Sequence, residues 1–437
     1  MLVNKMDITR RAAIAAPFFI RNLISAPPSG RVRLASFGAS NMAWFTLDPL
    51  SEHKSVDLVS VAEIDTSRTG DVKKKYPKAK HYQNWREMLD KEYKNLDAVC
   101  VATPDHMHAP QAMSSMRRGL HVYCQKPLAS RVHEARMLTN YARSKKLVTQ
   151  MGIQVHSSAM YQTAVQIVQS GAIGKIKEVH TWSNKKWGDM DPRPTTTDPI
   201  PDTLNWDGWI GVAQPFPYIK DYCHLVNWRK RLEFGTGTFG DMGCHIYDPV
   251  FGALALTAPL TVRAEGPAPN ATNWAINAIV KYTFPGTQFT DGKTVNVTWY
   301  DGDERPPMAI QALIEGTKLP DQGSIAIGTK GVMLLPHVAM PLLFPKADFA
   351  DFKRPEIQAN NHYFQFVDAV LGKGKTSTPF DYSGPLSETV LLGSLATRFP
   401  NKTLEWDSAK LKFKNMKDAN QHLKRKYRDG WKVKGMA

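Results

Sequence analysis

Between residues 31 and 153 the sequence alternates short apolar segments with amphipathic ones, and this alternation constrains the fold more than any other feature. Strand-like runs such as Val32 to Phe37, Asp97 to Ala102 and Leu120 to Cys124 are separated by helix-like stretches. Strands that alternate with helices form parallel sheets, because each helix carries the chain back to the same sheet edge. The pattern predicts an α/β fold whose N-terminal domain, residues 31–153, is a doubly wound parallel sheet.

The loop after the first predicted strand has the composition of a nucleotide-binding turn, and it reads Gly38, Ala39, Ser40 and Asn41. A dinucleotide site needs a tight turn here and an acidic residue about 20 positions further on. Glu63 and Asp65 supply that acid, and a carboxylate there favours NAD over NADP, although Arg68 nearby weakens the preference. Only one of the usual three glycines is present, so the alternative remains that both acids are ordinary polar residues at a strand end.

A single lysine stands where another strand-like run ends. Leu120 to Cys124 leads to Lys126, and Pro127 stops the run because it has no N–H and keeps the preceding residue extended. Open α/β sheets bind ligands beyond the carboxyl ends of their strands. Taken alone, the segment favours a surface lysine after a strand, and only the other motifs favour a ligand contact.

The second half of the chain has a different texture. A long irregular stretch, 184–233, is rich in tryptophan, proline and aspartate, and loops of this length are usually functional. Its tryptophans fit two roles equally, as walls that stack on a sugar or as anchors of the loop. Beyond Leu260, alternating segments predict an antiparallel sheet with one covered face. Helices are predicted over Asn360 to Leu371 and Ser387 to Arg398, and the basic tail, Lys410 to Val433, is predicted to be helical.

A glycine-rich run, 235–240, precedes an acid and a histidine at helical spacing. Asp241 and His245 are four residues apart and therefore share one helix face, with Asp248 one turn further on. A carboxylate beside an imidazole raises its basicity and fixes its orientation, which is how a general base is built. Separately, Asp241 fits a helix N-cap and His245 a buried histidine. The pair could also bind a metal, but no third ligand is evident, so no metal is predicted.

The charge balance limits the partners. The chain has 56 Lys and Arg against 40 Asp and Glu, a net charge of +16. Such a charge can steer anionic ligands, yet no zinc finger, RNA-recognition signature or basic stripe with interleaved aromatics accompanies it. Nucleic-acid binding is therefore not expected. Basic residues spread over a solvated surface are the favoured interpretation, and an anionic sugar substrate is left open.

The N-terminus, residues 1–30, has the composition of an export signal. Arg10 and Arg11 precede an apolar run, Ala12 to Ile20, and then small and proline residues. This pattern is typical of a twin-arginine signal, and it predicts an exported, periplasmic protein with no membrane segment in its mature form. The alternative is a basic N-terminal arm on a cytoplasmic protein.

Taken in order, the motifs resemble the Gfo/Idh/MocA family of NAD(P)-dependent sugar oxidoreductases. The resemblance rests on Ala102-Thr-Pro-Asp-His106, on Gln125-Lys126-Pro127 where the family has Glu-Lys-Pro, on Gly171-Ala-Ile-Gly174 and on Gly240-Asp-Met-Gly-Cys-His245. It implies an NAD-binding Rossmann domain over 31–153. It also implies a substrate-binding and oligomerisation domain over 154–437, built on a large open antiparallel sheet, in a homodimer or homotetramer.

The resemblance also implies which residues form the site. Catalysis falls to Lys126, Asp241 and His245, which also contact the substrate. The tryptophan-rich stretch adds Trp187 and Trp228 as predicted substrate contacts. Predicted cofactor contacts are Gly38, Ala39, Ser40, Asn41, Glu63, Asp65, Thr103, Pro104, His106, Gln125, Lys126, Gln154, Trp206 and Trp209. Two departures from the family stand out: the turn lacks two glycines, and Gln125 replaces a glutamate, which keeps the hydrogen-bonding reach but loses the charge.

Three functions follow as hypotheses. The first is an NAD-dependent oxidoreductase that takes hydride from a secondary hydroxyl of a sugar or glycoside, with His245 as base and Lys126 on the oxygen, or with these two roles exchanged. The second is a glycosidase-type enzyme that keeps NAD bound and recycles it through oxidation, elimination and reduction. The third is a non-catalytic carbohydrate-binding protein with a degenerate dinucleotide site.

Overall fold

The computed structural model describes residue 27 and residues 30–436, so the predicted export signal lies almost entirely outside the described residues. The strands are β1 Val32–Phe37, β2 Val56–Ala62, β3 Lys80–Tyr82, β4 Ala98–Val101, β5 His121–Gln125, β6 Thr149–Gly152, β7 Ile176–Ser183, β8 Thr261–Glu265, β9 Ile279–Pro285, β10 Thr294–Asp301, β11 Gln322–Gly328, β12 Val332–Pro336, β13 Leu342–Phe344, β14 Thr403–Asp407 and β15 Lys412–Phe413. The α-helices are α1 Trp44–Ser51, α2 Gly70–Lys75, α3 Trp85–Glu92, α4 Asp105–Met116, α5 Val132–Lys145, α6 Ala159–Gln169, α7 Trp206–Ile210, α8 Gly237–Ala253, α9 Met308–Gln311, α10 His362–Val370, α11 Phe380–Ala396 and α12 Lys417–Asn420. None of these helices is long and apolar enough to cross a membrane.

The N-terminal domain is built on a six-stranded parallel sheet in the order β3-β2-β1-β4-β5-β6. Helices cover both faces, and central strands such as β4 are buried along their whole length, as expected of a doubly wound sheet. The strand order reverses between β1 and β4, and this switch point opens a crevice beyond the carboxyl ends of the strands. The predicted fold class is confirmed.

The C-terminal domain is built on a nine-stranded sheet in the order β13-β12-β11-β7-β10-β9-β8-β14-β15. The pairing is antiparallel except between β7 and β10, which run parallel. Along β9, Val280, Tyr282 and Phe284 are buried while Lys281 is exposed. Tyr282 donates a hydrogen bond to the Thr389 carbonyl of α11 at 2.6 Å, so this helix covers the apolar face. The alternation in the sequence therefore predicted the covered face correctly.

The C-terminal tail corrects one prediction. A helix was expected over Lys410 to Val433, but α12 is the only α-helix in that range of the described chain. Basic residues favour helix, yet the tail packs as an extended segment on the N-terminal domain, and this packing outweighs local propensity. Tyr427 donates a hydrogen bond to Glu134 of α5 at 2.9 Å, and the Arg86 guanidinium of α3 lies 3.7 Å from the Trp431 ring centroid.

Buried histidines make the fold sensitive to acid. Burial lowers the pKa of His106 and His362 to about 3 and that of His108 to about 4. In the unfolded chain each has a pKa near 6.5, so below that pH the unfolded chain binds more protons and the free energy of unfolding falls. At about pH 5.5 each histidine costs about 1.4 kcal/mol of stability.

Two buried carboxyls act in the opposite direction, since burial raises the pKa of Asp105 to about 7 and that of Asp301 to about 6. Each carboxyl raises the free energy of unfolding by at most about 2 kcal/mol as the pH falls from about 7 to about 5.5. The histidines outnumber them, and the same sign holds for His121, His337 and His422, each lowered to a pKa of about 4. We therefore expect the melting temperature to fall as the pH is lowered from about 7 to about 5.5. Unfolding should also take up protons, which calorimetry in buffers of different ionisation enthalpy measures. A constant melting temperature would contradict the burial of these neutral imidazoles.

Candidate active site

A cleft of about 690 Å³ lies at the switch point of the parallel sheet, between that sheet and α8. Its size falls within the range of cofactor and small-molecule sites. The predicted site residues that line it are Gly38, Ser40, Asn41, Glu63, Thr103, Pro104, Gln125, Lys126, Trp187, Trp209, Trp228, Asp241 and His245. Residues from distant parts of the chain are thus brought together at one place.

One end of the cleft is formed by the turn after β1. Gly38 has a φ of +99°, and a Cβ there would come within 2.8 Å of Ala43 Cβ and 2.9 Å of the Ala102 carbonyl oxygen. The Ala39 N–H donates to Glu63 Oε2 at 2.9 Å, so the carboxylate at the end of β2 holds the turn. Burial raises the Glu63 pKa. The tight turn leaves backbone exposed to the cleft where a pyrophosphate would lie, so these residues fit a dinucleotide.

Two side chains beside this turn bear on the choice of dinucleotide. Arg68 Nε donates to Ser40 Oγ at 2.8 Å, and both residues line the cleft. Glu63 would accept ribose hydroxyls, whereas a guanidinium next to it would tolerate a 2′-phosphate. The expected preference for NAD over NADP, weakened by Arg68, stays a prediction.

At the other end of the cleft, Lys126 meets Asp241. Lys126 follows β5 directly, and its Nζ donates to Asp241 Oδ1 at 2.6 Å and to the Asp241 carbonyl oxygen at 2.7 Å. Arg229 Nε donates to the same carboxylate oxygen at 3.3 Å. Burial opposes ionisation of Asp241, but the Lys126 and Arg229 charges outweigh it and hold its pKa well below the usual range. The carboxylate therefore stays ionised between two cations.

His245 lies one turn along α8 from Asp241 and lines the same cleft. The predicted contact between the two is absent from the described hydrogen bonds: Asp241 bonds Lys126 instead, because an ammonium is the stronger partner for a carboxylate. His245 Nδ1 is buried with no hydrogen-bond partner. Burial first, and then the Lys126 charge, lower the His245 pKa well below its ordinary value. The imidazole is therefore neutral at neutral pH and can accept a proton.

Asp248, one turn further along α8, faces away from this group. It accepts hydrogen bonds from His156 Nδ1 at 2.9 Å and from the Tyr382 hydroxyl at 2.8 Å. Asp248 is buried and is not among the residues that line the cleft. It forms a structural contact between α8 and α11.

Five predicted cofactor residues do not line the cleft. Ala39 contributes only its backbone N–H to Glu63, and His106 is fully buried, with Nε2 at 3.0 Å from the Trp209 carbonyl oxygen. Asp65 bonds Ser67 and His224, and Trp206 stacks on Trp209 with ring centroids 4.7 Å apart. Gln154 lies in a short 3₁₀ segment after β6, also outside the lining. The side chains of Asp65, His106 and Trp206 thus contact neighbouring protein groups instead of the cleft.

The polar residues of the lining that were not predicted include Asp105, Lys185, Arg229 and His337. Asp105 begins α4 within the Thr-Pro-Asp-His motif and accepts a hydrogen bond from Thr236 Oγ1 at 2.6 Å. Arg229 directly follows Trp228, and Lys185 lies two residues before Trp187, so their proximity to predicted tryptophans could have identified both. His337 follows β12 as an isolated histidine, and nothing in its sequence context marks it. The described residues contain no group of three His, Cys, Asp or Glu side chains that could hold a metal ion.

Comparison with known proteins agrees with this architecture. Residues 32–153 match an oxidoreductase family with an NAD-binding Rossmann fold, GFO_IDH_MocA, and residues 160–433 match the C-terminal alpha/beta domain of the same family. The WlbA dehydrogenase of Bordetella pertussis, solved in complex with NADH and UDP-GlcNAcA, superimposes with a TM-score of 0.61 at 14% identity over 86% of this chain and 99% of that one.

Relatives that are named for an activity share less of their length with this chain. Levoglucosan dehydrogenase of Pseudarthrobacter phenanthrenivorans is 21% identical over 226 residues, which is 52% of this chain and 48% of that protein. Glycosyl hydrolase family 109 protein 2 of Bacteroides fragilis is 28% identical over 167 residues, 36% of this chain and 38% of that protein. The chain thus spans about half the length of the first of these relatives and less than half the length of the second. Because the family profiles together cover most of the chain, it belongs to the Gfo/Idh/MocA oxidoreductase family, and its N-terminal domain is an NAD-binding Rossmann domain.

Proposed function

We propose that the protein is an NAD-dependent oxidoreductase that acts on a secondary hydroxyl of a sugar or sugar derivative. The observation that carries this is the meeting of Lys126, Asp241 and His245 in one cleft with the nucleotide-binding turn. When bound, NAD supplies the hydride acceptor. The activity of levoglucosan dehydrogenase supports the substrate class.

The contacts suggest how the side chains divide the work. Lys126 Nζ donates two hydrogen bonds to Asp241, to the carbonyl oxygen and to Oδ1. Its third N–H can donate to the substrate oxygen and stabilise the negative charge that develops there. His245, neutral because of burial and the nearby ammonium, accepts the hydroxyl proton. The exchanged roles, with Lys126 as the base and His245 on the oxygen, are the alternative, and comparing the Lys126 and His245 variants would separate the two. Asp241 fixes Lys126 rather than His245.

The test is a screen of sugars and polyols with the purified protein and NAD, with the absorbance of the reduced nicotinamide as the readout. We expect at least one sugar to reduce NAD in multiple turnovers. A single-turnover version, with protein in excess over NAD, detects hydride transfer even when product release is slow. The absence of reduced dinucleotide with every sugar in both formats would refute the proposal.

A second candidate is an enzyme that retains NAD and recycles it during glycosidic cleavage. The observation that favours it is a cover segment, residues 203–226, which docks on the end of β2. Thr66 N–H donates to the Thr203 carbonyl at 2.9 Å, and His224 Nε2 lies 3.2 Å from Asp65 Oδ2. His224, Leu225 and Val226 line the cleft, so this segment closes over the nucleotide end. The predicted export would favour retention, because free NAD is scarce outside the cytoplasm.

Retention predicts that NAD co-purifies. We expect mass spectrometry of the supernatant of denatured protein to find NAD in roughly stoichiometric amount, and turnover to need no added NAD. His224→Ala removes the contact with Asp65 and should speed the exchange of bound NAD for a labelled dinucleotide about tenfold. His133→Ala, on α5 outside the cleft, is the matched control and should leave exchange unchanged. Protein that is purified free of dinucleotide and depends strictly on added NAD would exclude this candidate.

A further inference from the structure

The substrate end of the cleft carries more positive charge than its carboxylates compensate. Its cationic side chains are Lys126, Lys185 and Arg229, and Asp241 is the carboxylate they face. Both Lys126 and Arg229 bond the same oxygen of Asp241, at 2.6 and 3.3 Å. Two cations thus share one carboxylate, and one positive charge remains.

Asp105 does not balance this charge. It is only 5% exposed and bonds Thr236 rather than either cation. Burial raises its pKa to about 7, so a large part of it is protonated at neutral pH. Glu63 and Arg68 lie at the nucleotide end and leave the balance at the substrate end unchanged.

Arg229 is placed to present its guanidinium to a ligand. Its Cζ lies 4.3 Å from the Trp228 ring centroid and 5.4 Å from that of Trp187, and both tryptophans line the cleft. Stacking of this kind orients the guanidinium plane without using its N–H groups. Among the described residues only Nε has a hydrogen-bond partner, so the two terminal nitrogens are available for a bidentate contact.

Lys185 adds a third cation, at the exposed side of the cleft. It lines the cleft, and its Nζ forms no ion pair among the described residues. The next residue, Lys186, does not line the cleft and pairs with Asp303 at 2.7 Å. Of these two adjacent lysines, only Lys185 lines the cleft.

We propose that the substrate is an anionic sugar, and that Arg229, supported by Lys185, binds its carboxylate. This rests on the proposed function, since it assigns the substrate class of the same site. Lys126 Nζ and Arg229 Nε lie no more than about 5.9 Å apart, the sum of their contacts of 2.6 and 3.3 Å with Asp241 Oδ1. The anionic group therefore lies within about one sugar ring of the reacting hydroxyl, as in a uronic acid. A phosphate on the same ring is the other source of such a charge.

The test measures binding to the NAD-saturated protein by quenching of tryptophan fluorescence, to which Trp187 and Trp228 contribute. Probes are the uronates of glucose, galactose and mannose, each with its uncharged amide, and glucose 6-phosphate. We expect at least one uronate to bind about tenfold or more tightly than its amide. Tighter binding of glucose 6-phosphate than of every uronate would overturn the carboxylate in favour of a phosphate.

Two variants separate recognition from folding. Arg229→Gln should weaken uronate binding about tenfold or more and leave amide and NAD binding within about twofold. Lys185→Gln, at an exposed position that the fold does not need, should weaken uronate binding about threefold, less so at high salt. Equal binding of uronates and amides by the wild type, or loss of NAD binding in Arg229→Gln, would refute the assignment. Because the readout is binding, a protein that prefers uronates yet transfers no hydride would contradict the proposed function alone.

Discussion

Lys126→Ala is expected to lower kcat by about 10²- to 10⁴-fold while leaving NAD affinity nearly unchanged. The ammonium is fixed by two hydrogen bonds to Asp241 and has one N–H left for the substrate oxygen. An alanine there removes the donor and leaves the developing charge on that oxygen without its stabilising partner. Steady-state kinetics with the sugar found in the screen, together with an NAD titration, measures both quantities.

Lys186→Ala is the matched control for this substitution. Lys186 is the same residue type, is exposed, pairs with Asp303 at 2.7 Å and lies outside the lining of the cleft. Its replacement should leave kcat unchanged. Wild-type turnover in Lys126→Ala would remove this lysine from the mechanism, and parallel losses of turnover and NAD affinity would make it a cofactor contact instead.

Gly38→Val is expected to weaken NAD binding about 100-fold or more. The backbone at Gly38 has a φ of +99°, which a β-branched residue adopts only under strain. The new Cβ would also come within 3.0 Å of Ala43 Cβ and the Ala102 carbonyl oxygen, so the turn must shift away from its present path. The melting temperature should fall as well, and equilibrium titration of the folded variant separates the two effects.

Gly70→Ala provides the comparison. Gly70 begins α2, has no unusual φ, and a Cβ there would meet no atom within 4 Å. Alanine should leave NAD affinity unchanged and stabilise the fold by up to about 1 kcal/mol. If Gly38→Val bound NAD as tightly as the wild type, the turn after β1 would not be the pyrophosphate site.

The sequence predicted those features that depend on local patterns. The alternation of apolar runs predicted the parallel sheet, and the proline after Lys126 marked the end of β5. Four-residue spacing placed Asp241 and His245 on one helix, and both line the cleft. Each of these inferences needs only neighbours in the chain, and this is why it succeeded.

What could not be predicted depends on contacts between distant segments. The sequence favoured a bond between Asp241 and His245, but Lys126, 115 residues away, competes for that carboxylate. Asp65 fitted a ribose contact by its position, yet His224 from the cover segment occupies it. The basic tail fitted a helix until its packing on the N-terminal domain was known. The spacing of residues along the chain does not show which distant residue bonds a given side chain in the folded protein.

That packing has a consequence for how the protein is made. Tyr427 and Trp431 contact α5 and α3, which are synthesised some 300 residues earlier. The packing around α3 and α5 is therefore completed only after the strands of the C-terminal sheet have been synthesised.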